Sequence, residues 1–122
     1  MKKLEFRFNC VDGNYCFDSQ ISDVVTFEIE TDIEGLSSFA GDLDEAKTKE
    51  FIAELEKAHI ERWERRYSGE NPIEDGVKWY VRYIVDDKEY VSEGEESFEP
   101  YDYEHLINAI ILCDGKAGYF KI

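Results

Sequence analysis

Near the start of the chain Leu4, Phe6, Phe8 and Cys10 alternate with Lys3, Glu5, Arg7 and Asn9. A two-residue period sends the two sets to opposite faces of an extended chain, so this segment predicts a strand with one buried face. Val11, Asp12, Gly13 and Asn14 supply a turn, after which Val25, Phe27 and Ile29 alternate with Thr26, Glu28 and Glu30. These two strands are expected to pair antiparallel. Residues 32–42, with Gly35, Ser37, Ser38 and Gly41, hold no sustained period and read as a surface loop.

The period then changes. Asp42, Leu43, Asp44 and Glu45 read as a helix start, with Glu45 where a capping box places its acid. Phe51, Ile52, Leu55, His59 and Trp63 form the apolar stripe of a long helix running to Tyr67. Acids in its first turn and Arg62, Arg65 and Arg66 in its last complement the helix dipole. Ser68, Gly69 and Pro72 end it. Val77, Trp79, Val81, Tyr83 and Val85 alternate with Lys78, Tyr80, Arg82 and Ile84, bulky on both faces as in a central strand. Asp86, Asp87 and Lys88 turn the chain into a partner strand, Glu89 to Ser92. Pro100 precedes a second helix burying Leu106, Ile107, Ile110 and Ile111, with Gly115 placed to end it. Tyr119 to Ile122 reads as a short last strand. The order predicts one α+β domain over residues 1–122: an antiparallel sheet of two hairpins, covered on one face by a long helix and a shorter C-terminal helix.

Trp63, Tyr67, Asp75, Gly76, Trp79, Ser92, Gly94, Pro100, Leu106 and Ile110 follow one another in an order and spacing that resembles a group of small bacterial proteins with no assigned activity. The resemblance covers about half of the 122 residues. It departs from the group's pattern in a loop from Gly94 to Pro100 that is one residue longer, with Glu96 where an Asn is expected. What it implies is a fold class and a bacterial or phage origin, and no activity.

Charge narrows the function more than any motif. The chain carries 29 Asp and Glu against 14 Lys and Arg, a net charge of -15 with a pI near 4.4. Such a field repels nucleic acid phosphates and anionic lipid while attracting basic proteins. Disorder is argued against by 43% hydrophobic and 15% aromatic content. No apolar run approaches the about 20 residues that cross a bilayer, and the alternating start is no signal-peptide core, so a cytoplasmic protein is expected. Cys10, Cys16 and Cys113 are odd in number and lack paired spacing, which supports neither a disulfide framework nor a zinc ribbon.

Candidate chemistry is sparse. His59 lies within the apolar stripe and reads as a core histidine. Asp102, Glu104 and His105 are too close in sequence to converge on one ion. No phosphate-binding glycine loop, nucleophile elbow or Cys-His signature is present, so no catalytic residue, cofactor or metal ligand is assigned. Acids instead concentrate in two segments: residues 86–104 hold nine against Lys88 alone, and residues 28–45 hold seven with no base. On one side of the sheet they would form a continuous negative surface.

Phe98, Tyr101 and Tyr103 beside these acids suit the anchors of an interface. The expectation is therefore a non-enzymatic acidic interaction protein, of the kind that acts as an immunity protein or a nucleic acid mimic. It would hold a basic protein surface through Glu93, Glu95, Glu96, Phe98, Glu99, Tyr101, Asp102 and Tyr103. The alternative is a small-ligand module or enzyme with a pocket between sheet and helices near Trp63 and Trp79.

Overall fold

A computed structural model describes residues 2–68, 78–95 and 102–115. Among these residues the strands and α-helices follow in the order β1 (Lys2–Cys10), β2 (Gly13–Ile21), β3 (Val25–Thr31), β4 (Phe39–Asp42), α1 (Glu45–Ala58), β5 (Arg66–Ser68), β6 (Lys78–Val85), β7 (Lys88–Glu95) and α2 (Tyr103–Asp114). The strands form one seven-stranded sheet in the order β4-β3-β2-β1-β6-β7-β5, antiparallel except where β5 runs parallel to β7. The α+β class is as the sequence predicts.

Alternation places the core. Leu4, Phe6 and Phe8 of β1, Tyr15 and Phe17 of β2, Val25, Phe27 and Ile29 of β3, and Trp79 and Val81 of β6 are buried on one face. Both helices lie over that face: Phe51 of α1 stacks on Phe17 with ring centroids 6.3 Å apart, and Tyr103 of α2 lies 6.3 Å from Phe6. Glu54 of α1 accepts from the His105 ring of α2 at 2.9 Å, and this bond holds the Glu54 carboxyl below its ordinary range. At the far end of α2 the Tyr15 hydroxyl donates to Asp114 at 3.2 Å. Burial, then the Asp114 charge, pushes the neighbouring Cys113 thiol up to about 12.

Four expectations are corrected. The strand β2 intervenes between β1 and β3, so the two strands read from the sequence do not pair with each other. Part of the expected 32–42 loop is the edge strand β4, which pairs with β3 from Ile29↔Phe39 to Thr26↔Asp42. The sheet is consequently larger than two hairpins.

The third and fourth corrections concern the ends of α1. Its cap is Asp44, whose carboxylate accepts from the Lys47 amide at 2.7 Å, leaving Glu45 as the first helical residue. Asp44→Ala is expected to cost about 1 kcal/mol in urea denaturation, because it strips one acceptor from the open amides of the first turn. The helix stops at Ala58, eight residues before Arg66 opens β5. His59 takes a left-handed conformation (φ 50°), and a 3-10 turn, Ile60–Arg62, follows. The turn brings Ile60 into the core and lets the Trp63 indole N–H donate to the Ala58 carbonyl at 2.6 Å, satisfying an acceptor the helix end leaves open. The buried stripe is thus Thr48, Phe51, Leu55 and Ala58; His59 is half-exposed and not a core residue. Of the three arginines expected in the last turn, none lies in α1, whose basic residue there is Lys57. The expected last strand at Tyr119–Ile122 lies outside the described residues.

Candidate functional site

With both helices on one face, the opposite face of the sheet is uncovered among the described residues. The strand register sets out its side chains in rows. One row runs Glu28, Asp18, Glu5, Arg82 and Val91 across β3, β2, β1, β6 and β7. The next runs Glu30, Cys16, Arg7, Tyr80, Glu93 and Arg66. A third holds Asp42, Thr26, Gln20, Lys3, Ile84 and Glu89.

Bases gather at the centre of this face, although Glu5 of β1 lies among them. Lys3, Arg7, Lys78 and Arg82 sit on the central strands β1 and β6, with acids to either side on β2–β4 and on β7. Of the two acidic stretches, Glu28, Glu30 and Asp42 share this face with Glu89, Glu93 and Glu95, but Lys3, Arg7, Lys78 and Arg82 lie between the two groups. Ion pairs stitch the boundary: Arg7 meets Asp18 at 2.9 Å, Arg82 meets Glu5 at 3.3 Å and Glu89 at 2.9 Å, and Arg66 meets Glu93 at 2.7 Å. These pairs are partly exposed, where salt bridges contribute little to stability. What they do is cancel charge locally. Glu28, Glu30 and Asp42, exposed on β3 and β4, have no ion pair among the described residues.

The residues expected at a partner interface fall in different places. Glu93 is half-buried and paired with Arg66, whose guanidinium donates twice to its Oε1, at 3.0 and 2.7 Å. Glu95 is exposed at the end of β7. Asp102 caps α2 through its carbonyl, which accepts from the His105 amide at 3.0 Å. Tyr103 is only 6% exposed, so it faces the core and not a partner. Glu96, Phe98, Glu99 and Tyr101 lie outside the described residues.

At Trp63 and Trp79, where the alternative reading expects a pocket, the aromatic side chains pack on one another. The two indole rings meet edge to face at 5.8 Å, with Tyr103 5.1 Å and Tyr67 6.0 Å from Trp79. A concavity of about 590 Å³ has Tyr67 and Trp79 in its lining together with Arg7, Lys78, Tyr80 and Glu95 of the uncovered face. The sequence points to Trp79 but not to the rest of the lining, which comes from β1, β2, β5 and β7 as well as β6 and depends on a register that a hydrophobic pattern does not show. The described residues hold no group of three or more His, Cys, Asp or Glu suited to a metal ion. Among them, no helix is long and apolar enough to cross a membrane. No protein-family model and no curated protein sequence matches the chain.

Proposed function

We propose that this protein is a non-enzymatic interaction domain that holds a basic surface of another protein against its uncovered sheet face. The observation that carries the reading is the row Glu28, Asp18 and Glu5 with Glu30 and Asp42 beside it, of which Glu28, Glu30 and Asp42 are exposed and have no ion pair among the described residues. Fixed strands hold these carboxylates at set spacings, so a cationic partner gains attraction without first ordering the acids. A second reading follows from the 590 Å³ concavity: Arg7 and Lys78 in its wall suit a small anionic ligand.

An octalysine peptide, followed by amide chemical shifts on the whole chain, tests both. Shifts are expected on β3 and β4, weakening as salt rises because exposed charges are screened over about 10 Å at 0.1 M. Charge reversal at Glu28, Glu30 and Asp42 to Lys is expected to remove most of the binding, whereas reversal at Glu50 and Glu64, on and after α1, leaves it. Reversal at Glu95, Glu96 and Glu99 measures the share of the last residue of β7 and the acids that follow it in sequence. Salt-independent binding, or binding indifferent to the Glu28, Glu30 and Asp42 reversal, sinks the acidic-interface reading. Shifts confined to Arg7, Lys78 and Tyr80 on titration with inorganic phosphate favour the ligand reading.

A further inference from the structure

The outer edge of β7 is open over part of its length. Among the described residues its one strand partner on that side is β5, which pairs with Glu93, Gly94 and Glu95. Just before them, the Ser92 hydroxyl donates to the Glu64 carbonyl at 2.6 Å and the Glu93 amide donates to Arg65 at 3.0 Å. Backbone groups on a strand point alternately to its two sides, so Glu89 and Val91 turn their N–H and C=O outward as Glu93 does. Among the described residues nothing pairs with that stretch.

Beside the open stretch, on the helix side, lies a hollow of about 500 Å³ walled by Tyr83, Tyr90, Val85, Glu61, Asp87 and Lys88. The Tyr83 and Tyr90 rings lie 6.5 Å apart, both half-buried, and present apolar surface. Burial raises the Tyr83 hydroxyl above its ordinary range, and the Glu61 and Glu56 charges raise it further, so the hollow sits in a negative field.

We infer that β7 takes up an extended, lysine- or arginine-bearing segment of a partner protein as an added strand along Glu89 and Val91. An added strand is held by main-chain hydrogen bonds and selected by the pockets its alternate side chains enter. Side chains on the helix side of such a strand meet the Tyr83 and Tyr90 rings, with Glu61 and Asp87 beyond. A long basic side chain matches that order, its methylene stem on the rings and its charge at the carboxylates. Side chains on the other side meet Val91, which favours an apolar residue. The segment is therefore one in which basic and apolar residues alternate. The inference rests on the interaction reading above, and names a strand edge as the part of the protein that grips the chain.

The probe is an acetylated, amidated peptide of alternating lysine and valine, added to the full protein. Hydrogen exchange at the Glu89 and Val91 amides is expected to slow about tenfold at saturation, as for a newly made strand pairing. Val91→Pro, which removes an outward N–H and no bond to β6, is expected to weaken binding about tenfold with the β1 and β2 amides unmoved. Methylating the peptide's valine amides is expected to abolish binding. Unchanged exchange at Glu89 and Val91 in the presence of bound peptide overturns the inference, and so does the absence of any binding; where Val91→Pro fails to fold, exchange in the unaltered protein decides. If octalysine still binds β3 and β4 while the edge stays silent, the interaction reading stands and the added strand falls. If neither peptide binds, both fall.

Discussion

Trp79→Ala is expected to lower the free energy of unfolding by about 3–5 kcal/mol, the loss for removing a large aromatic side chain from a packed core. Trp79 is 3% exposed, and its ring meets Trp63, Tyr67 and Tyr103 at centroid distances of 5.8, 6.0 and 5.1 Å. Those partners come from the segment after α1, from β5 and from α2, so a single ring joins three parts of the chain to β6. Trp63→Ala is expected to cost less. Trp63 is only partly buried, and although its indole bond to Ala58 is lost, water reaches the site to replace part of it. Urea denaturation of both variants measures the order. A larger loss for Trp63 would mean that the cluster is organised around the helix end and not around β6.

What the sequence made legible follows from how cleanly burial imposes a period. Leu4 to Cys10 in β1 and Trp79 to Val85 in β6 alternate without interruption, and both strands are central. In β2 the alternation Tyr15, Phe17, Ile21 is broken by Ser19, a buried hydroxyl that donates to the Leu4 carbonyl at 3.3 Å. A polar residue at a core position hides the strand from a hydrophobic pattern. Edge strands give still less: Phe39 to Asp42 are mostly exposed, so β4 has backbone pairing without a buried face. The overlong helix has a different cause. Trp63 continues the stripe of Phe51, Leu55 and His59 at steps of four, and nothing local announces that His59 turns left-handed. That turn is stabilised by burial of Ala58 and Ile60 on either side of it, which is a tertiary effect.

The candidate site was legible in charge and not in place. Counting acids located the two negative stretches, but the basic band between them exists only once β1 and β6 lie side by side, residues about 75 apart in sequence pairing as Arg7↔Tyr80 and Glu5↔Arg82. Likewise Tyr103 carries the flanking acids of an interface anchor, yet its place at the start of α2 aims it at Phe6 and Trp79. Trp63, Tyr67, Trp79 and Gly94, read from the sequence as separate points of a pattern, meet in one cluster.

Gly94→Ala sets local preference against packing, and packing is expected to win. In an extended strand, replacing glycine by alanine reduces the freedom of the unfolded chain and by itself stabilises by about 0.4–1 kcal/mol. Gly94, however, lies opposite Trp79 in the ladder, and a Cβ there would collide with the indole ring at Nε1, Cε2 and Cζ2. The ring has no easy retreat, since Trp63, Tyr67 and Tyr103 hold its other sides. The net expectation is a loss of about 1–3 kcal/mol, the usual result of overfilling a packed core. A double-mutant cycle isolates the cause. In a Trp79→Val background the colliding atoms are gone, so adding Gly94→Ala should be neutral or stabilising, and the coupling between the two sites should reach about 1–3 kcal/mol. Additive losses in the two backgrounds would show that alanine is resisted by the backbone at position 94 and not by the tryptophan above it.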